Sequence, residues 1–470
     1  MPIKRTKIVA TIGPASAGDD ILHTLIAEGV NVMRLNTKHN DPIWHQKMIT
    51  RIRVIAKGMN IPIGILLDLQ GPEIRVETYD EREVIIQKDS QYILTSEPSK
   101  RENELHIPYK DVINSLKKGA TLSIADGSVG FDIEKVSSGQ ATLIAQNDFV
   151  LGHRKTINIP GLTAEIPSLT DRDKEFLEII KTEPVDFVGL SFVRTAEDIS
   201  NLRHELERVK STARIIAKIE TKLALDNIET IVEETDALMI ARGDLGIEVP
   251  IEELAYWQKH IVRLCREHNK PVIVATQMLK SMVESPLPSR SEATDIANAV
   301  FNGTDAVMLS EETAIGKYPT KAVAAMAKIA MFNEQNRDFI DNYEMLTKNA
   351  TEALVGAAAH MIEEGTKFGL SKVLVFTESG FTARALAAHR LSYPIIAVTD
   401  KSYVAYQLSL VYGIQPYVTK LPAGPIQLTN MPLDALMGAG LVSRGEVILT
   451  VHGRKWKEPH ASSVIGFFKV

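Results

Sequence analysis

One cysteine, Cys265, stands in 470 residues. A single thiol cannot close an intramolecular disulfide, and such usage fits a reducing compartment, so a cytoplasmic location is expected. No apolar run is long enough to cross the roughly 30 Å of a bilayer core, so no membrane partner is expected. Neither charge sign dominates: the formal net charge is −6, which gives no electrostatic reason to expect nucleic-acid or anionic-membrane binding. There is no low-complexity tract. The opening MPIKRTKIVATIGP is a short β-like run ending at a Gly-Pro turn, without the longer apolar core and small-residue cleavage site of a signal peptide.

What is present is an ordinary globular balance, 44% hydrophobic and 24% charged, long enough for two to four domains. Eight short β-branched apolar runs stand out: KIVATIG (7–13), VNVMRLN (30–36), IPIGILLDL (61–69), VDFVGLSFV (185–193), RIIAKIE (214–220), DALMIAR (236–242), PVIVATQ (271–277) and DAVMLSE (305–311). Near-continuous hydrophobicity marks strands covered on both faces, as in parallel sheets. Stretches of helical period lie between most of them, for example 19–28, 198–210, 251–268 and 291–302. Eight such units predict an α/β fold built on a (β/α)₈ TIM barrel, where six would favour an open sheet.

Two segments fall outside that pattern. Residues 71–167 hold short alternating runs such as REVIIQ, ATLSIAD and QATLIAQ, and read as an inserted small β-barrel domain. It leaves and rejoins the barrel at the end of the third strand, which suits a lid. From 339 to 470 a separate C-terminal α/β domain is expected, with SKVLVFTESG, YPIIAVTD, IQPYVTK and EVILTVHG alternating with helices. The barrel itself then comprises 1–70 and 168–338.

Charged residues recur where strands end, the layout of a barrel active site. Lys218 and Glu220 close the fifth run, Arg242 and Asp244 the sixth, Thr276 the seventh, and Glu312 with Thr313 the eighth. Glu220 and Asp244 make a hard oxygen site for Mg²⁺ or Mn²⁺; the alternative is a pair of surface acids or caps. Lys218, two residues before Glu220, points to the same side of its strand. It is either a structural partner of that glutamate or a charge aimed at a phosphoryl group or an enolate. Arg34, Asn36, Asp68 and Arg75 are expected along the opposite rim. The loop TESGFT, with Thr377, Glu378, Ser379, Gly380 and Thr382, precedes a helix in the last domain and offers a weak anion site.

The segments KIVATIGPAS, NVMRLN, GPEIR, NIPG, DFVGLSFVR, AKIE, MIARGDLGIE, ATQML and GTDAVMLSEETAIGKYP, in this order, resemble the pyruvate kinase family, bacterial type. The resemblance is close from residue 4 to about 335 and looser beyond. It implies transfer of the phosphoryl group of phosphoenolpyruvate to ADP in glycolysis, with Mg²⁺, in an allosteric homotetramer. It implies that Lys218 faces the phosphoryl group and the enolate, and that Glu220 and Asp244 hold the divalent ion. Arg242 and Asp244 would line the substrate subsite, the Gly243 backbone would bind the substrate carboxylate, and Thr276 would stand by the carbon that is protonated. Arg34 and Arg75 would bind phosphate groups, and Asn36, His39 and Lys155 would contact the nucleotide.

The chain also departs from that family. Asn36-Thr37-Lys38-His39-Asn40 replaces Asn-Phe-Ser-His-Gly, so Lys38 stands where a serine helps Asn36, Asp68 and the Leu69 carbonyl to ligate K⁺. A lysine ammonium repels that ion, which predicts K⁺-independent turnover with Lys38 as a built-in cation. The competing arrangement has Lys38 paired with Glu73, a residue that K⁺-requiring members usually carry. Phe381 in the effector loop, and a tail without the usual glycines, argue against fructose bisphosphate, leaving a monophosphorylated sugar, a nucleotide or no effector. Two other functions compete: a metal-dependent lyase acting on oxaloacetate or pyruvate-like compounds, which needs no ADP, and a catalytically silent sensor of phosphometabolites.

Overall fold

A computed structural model of the chain describes residues 4–162, 166–336, 340–341, 343, 345–422, 431–453 and 463–470. The expected boundary at 338/339 and part of the tail, 454–462, lie outside these residues.

All eight predicted runs are strands: β1 (Lys7–Thr11), β2 (Val32–Asn36), β3 (Gly64–Asp68), β4 (Phe187–Leu190), β5 (Arg214–Ile219), β6 (Ala237–Ala241), β7 (Val272–Ala275) and β8 (Ala306–Leu309). Each pairs in parallel with its sequence neighbours and β1 pairs with β8, so the sheet closes. Ile8, Met33, Leu67, Val188 and Ile219 are almost wholly excluded from solvent. Burial on both faces is why these runs lack the alternation of a half-exposed strand. The intervening helices form where periodicity places them, including Asp19–Ala27, Ala196–Arg208, Leu254–Glu267 and Arg290–Phe301. Ser289 caps the last of these through the Glu292 N–H, and Glu292 returns the bond, a capping box written in the sequence as Ser-Arg-Ser-Glu.

Between β3 and β4 the chain forms a second closed barrel of seven short strands. Its first strand, Arg75–Thr78, pairs with its last, Lys155–Asn158, antiparallel. It has a core of its own around Leu94, Leu105, Phe131 and Leu143.

Beyond the eight-stranded barrel lies a five-stranded sheet of β9 (Leu370–Phe376), β10 (Ile395–Thr399), β11 (Ile414–Val418), β12 (Val447–Gly453) and β13 (Ser463–Lys469), in the order 11-10-9-12-13. The sequence reading found the first four and missed β13, an antiparallel edge strand. The sheet domain docks on the face where the barrel strands begin. Arg390 reaches Asp305 at 2.8 Å, and the Lys7 ammonium donates to the Ile414 carbonyl at 2.6 Å. The opposite face, where the strands end, is left to the lid and to chemistry.

Candidate active site

Lys218 leaves β5 with its ammonium 2.6 Å from Ser191 Oγ, 2.9 Å from Glu220 Oε1 and 3.6 Å from Asp68 Oδ1. Asp68 is also gripped by Arg34, whose Nε lies 2.6 Å from Oδ2 while Nη1 donates to Thr11 Oγ1 at 2.9 Å. The two rims that the sequence reading held apart are therefore one cluster, with Asp68 as the bridge. The barrel order β2-β3-β4-β5 explains this, since Asp68 on β3 stands between Arg34 and Lys218, together with Gly189 on β4. A Cβ there would lie 2.7 Å from Asp68 Oδ1, so only glycine leaves space for the carboxylate. Burial disfavours the Lys218 ammonium, but Asp68 and Glu220 outweigh it and hold its pKa above the ordinary lysine value.

Glu220 is almost wholly buried, and its second oxygen accepts the Phe192 N–H at 2.7 Å. Asp244 lies in the short helix Arg242–Glu248. Burial first, and then the Glu220 carboxylate, push the Asp244 carboxyl up to about 7. Arg34 and Lys218 thus face three acids, Asp68, Glu220 and Asp244, and one negative charge is left over. A divalent cation between Glu220 and Asp244 would more than offset that charge and leave the cluster positive toward an anionic substrate. Among the described residues no group of three or more His, Cys, Asp or Glu side chains is arranged to hold a metal. Most ligands would then come from water and substrate oxygens, the preference of Mg²⁺.

Thr276 follows β7 with φ +67°, and its Oγ1 accepts the Gly243 N–H at 2.8 Å. A left-handed β-branched residue is unusual and persists where its surroundings over-determine it. Arg242 supplies part of that restraint, donating to the Thr276 carbonyl at 2.8 Å while Asp295 holds its other nitrogen at 2.7 Å. Glu312 takes no part. It is buried and accepts the Leu279 and Ser310 N–H groups, a structural task. Thr313 likewise donates to the Thr11 carbonyl.

On the outer rim Glu73 holds two cations, Lys38 at 2.6 Å and Arg75 at 2.5 Å. Burial raises its pKa, but Lys38 and Arg75 outweigh it and bring it below the usual range. Lys38 is thus paired with Glu73. Asn36 Oδ1 accepts the Lys38 N–H, and the Leu69 carbonyl accepts Ser191 Oγ at 2.7 Å. Asp68 Oδ1 is buried and accepts no hydrogen bond. His39 and Lys155 are exposed on the barrel rim and on the lid. A crevice of ≈ 670 Å³ opens between lid and barrel, walled by Glu73, Asn158, Phe192 and Glu220.

The weak anion loop is largely self-satisfied. Thr377 Oγ1 accepts the Gly380 N–H at 2.9 Å, Ser379 Oγ accepts the Phe381 N–H at 3.4 Å, and Glu378 pairs with Lys401. Gly380 adopts φ +80°, and Thr382 is the second residue of the helix that follows.

Sequence reasoning missed Ser191, which orients Lys218. Its signal was there: it follows β4 directly, inside DFVGLSFVR, by the same strand-end rule that found its neighbours. Gln258 and Asp295, which hold Arg242, carried no such mark, because both lie on helices.

Family models describing the pyruvate kinase barrel domain and the pyruvate kinase alpha/beta domain match residues 3–323 and 352–465. A pyruvate kinase of Staphylococcus epidermidis is 37% identical over 96% of this chain and 78% of its own length. One from Thermotoga maritima is 34% identical over 96% of each chain. The crystal structure of a pyruvate kinase from Cryptosporidium parvum superposes with a TM-score of 0.90 at 30% identity, covering 99% of this chain and 96% of the other.

Proposed function

Since the chain belongs to the pyruvate kinase family of phosphotransferases, we propose that it moves the phosphoryl group of phosphoenolpyruvate to ADP through the cluster around Lys218. The observation that carries this is a buried ammonium held at three points by Ser191, Glu220 and Asp68. Phosphoryl transfer needs little covalent help; it needs fixed charge where charge develops. An oxygen of the ADP terminal phosphate bonds to phosphorus as the bond to the enol oxygen breaks. Lys218 and Arg34 neutralise the group in flight, and Lys218 then faces the enolate. A proton delivered on the Thr276 side to the terminal carbon yields pyruvate. Mg²⁺ or Mn²⁺ at Glu220 and Asp244 would supply Lewis acidity to substrate oxygens. The Gly243 N–H, with Arg242 and Asp244 beside it, would seat the substrate carboxylate. Arg75, Lys155, Asn36 and His39 would meet the nucleotide as the lid closes.

The domain limits that go with this reading are 1–70 and 168–338 for the barrel, 71–167 for the lid and 339–470 for the last domain. It also makes the enzyme a cytoplasmic homotetramer, with either a phosphorylated effector or none at the last domain. No helix among the described residues is long and apolar enough to cross a membrane.

The test is pyruvate formation from phosphoenolpyruvate, ADP and Mg²⁺, without K⁺ and then with it. With Lys38 held on Glu73, turnover is expected to need K⁺, at a site of Asn36, Asp68 and the Leu69 carbonyl. Turnover in K⁺-free buffer would instead support Lys38 as the built-in cation. No turnover in either buffer would favour a silent sensor. In Lys218→Met, kcat should fall by about 10³-fold or more while the far-UV circular dichroism is unchanged.

A further inference from the structure

The chain enters the inserted small barrel after β3 and returns through the helix Asp171–Ile179. Both passages meet at one wholly buried side chain, Asp173, on the first turn of that helix. Its Oδ2 accepts the Thr170 N–H at 2.9 Å and the Thr170 hydroxyl at 2.7 Å. That is a capping box, and it occupies only one of the two oxygens. Oδ1 reaches back 103 positions along the chain. It accepts the Gln70 N–H at 3.0 Å and, more weakly, the Gly71 N–H at 3.4 Å, where the insertion begins. Burying a carboxylate is costly unless its oxygens are filled, and these four donors fill them.

Arg172, beside it on the same turn, holds the loop that follows β2. Its Nη2 donates to the Thr37 carbonyl at 3.1 Å and to the Asn40 carbonyl at 3.0 Å. Within that loop Asn40 takes φ +62°, a left-handed turn that asparagine tolerates. Nε2 of the buried His45 donates to the His39 carbonyl at 2.9 Å.

The four side chains assigned to the nucleotide divide between these two anchors. Asn36 and His39 flank the loop that Arg172 holds. Arg75 and Lys155 stand on the first and last strands of the insertion, which pair as Arg75 with Thr156 and Val76 with Lys155. The Ile157 N–H joins the same strands at the Ile74 carbonyl, 3.0 Å away. Asp173 fixes the chain just before the first of them. The pyruvate side is supported separately: Lys218 by Ser191 and Asp68, Glu220 by the Phe192 N–H, and Thr276 by the Gly243 N–H.

We propose that Arg172 and Asp173 are positioning residues for the nucleoside diphosphate. Asp173 sets where the lid is rooted, Arg172 sets the facing loop, and one helical turn keeps the two in register. This rests on the kinase reading of the site. It requires that loss of either residue weaken use of ADP and leave use of phosphoenolpyruvate nearly intact.

The test compares the native chain with Asp173→Asn and Arg172→Gln. Asparagine offers one acceptor oxygen and a donating amide, so either Thr170 or the 70–71 backbone loses its partner. Initial rates are measured with ADP and phosphoenolpyruvate varied in turn, Mg²⁺ and K⁺ present. KM for ADP should rise by about tenfold in Asp173→Asn and about threefold in Arg172→Gln, with KM for phosphoenolpyruvate within about twofold of native in both. A residue that only holds the fold would lower the melting midpoint or kcat and leave the ratio of the two KM values unchanged. An unchanged ratio in one variant removes that residue, and in both it overturns the proposal. Should Asp173→Asn fail to fold, the ratio in Arg172→Gln decides, since that side chain is exposed. Absence of turnover in the native chain would count against the kinase reading instead. Hydrogen exchange then tests the anchors: faster exchange at 70–78 in Asp173→Asn or at 37–45 in Arg172→Gln supports them, and native rates at both overturn them.

Discussion

At the scale of single residues, electrostatic balance does most of the explaining. Asp244 sits beside Glu220 with its carboxyl raised to about 7, so at neutral pH about half of it is ionised until a cation arrives. Asp244→Asn removes the charge but keeps the shape. The Mg²⁺ concentration giving half-maximal turnover should then rise by at least about tenfold, the equivalent of ~1.4 kcal/mol, as a Mg²⁺ titration of initial rates would show. An unchanged Mg²⁺ requirement would remove Asp244 from the metal site. Lys218, Glu220 and Thr276 were legible because each is a polar residue at the edge of an apolar run, where burial without purpose would be expensive. Lys38 was legible as an oddity, but its partner was not. Whether a lysine meets an ion site or Glu73 depends on a fold that brings residues 38 and 73 together.

Elements were read well where burial imposes a pattern and poorly where pairing is long-range. The eight barrel strands declare themselves by continuous hydrophobicity. β13 was missed although SVIGFFK is largely apolar; it is an edge strand paired on one flank only, with Val464 and Phe467 exposed. The helix at 242–248 was hidden by its two glycines, poor helix formers in a segment held instead by Arg242 and Thr276. Gly64, which opens β3, shows an element fixed by its neighbour. A Cβ there would meet Ser409 Oγ at 2.8 Å, the Tyr406 carbonyl at 3.1 Å and the Phe187 ring at 3.2 Å. Gly64→Ala should therefore cost about 1–3 kcal/mol in denaturant unfolding, while initial rates at the far face change little. A neutral substitution would mean that the Tyr406–Ser409 turn gives way without cost.

For the whole molecule the decisive feature is a catalytic face and a docking face at opposite ends of one barrel. Lys7 belongs to the docking face. Burial, partly offset by Glu334 and Asp305, lowers its pKa from 10.5 to about 8. Below pH 8 the charge is present in folded and unfolded chains alike, and its burial opposes folding. Between about pH 8 and 10.5 the folded chain sheds the proton first, so stability relative to Lys7→Met should climb by about 3 kcal/mol. Urea titrations of both proteins at pH 7.5 and 10 would show it, and a constant difference would mean that Lys7 keeps its charge when folded. The amino-acid sequence by itself determined the barrel, the inserted small β-barrel, the following α/β domain and most of the side chains of the candidate site. Periodicity, burial and strand-end polarity are local properties, carried by neighbouring residues. Only the tertiary structure decided that Asp68 joins Arg34 to Lys218, that Glu73 claims Lys38, and that Asp173 holds Gln70 and Gly71. Those are contacts between residues tens to hundreds of positions apart, and their energies depend on distance and burial that no local pattern encodes.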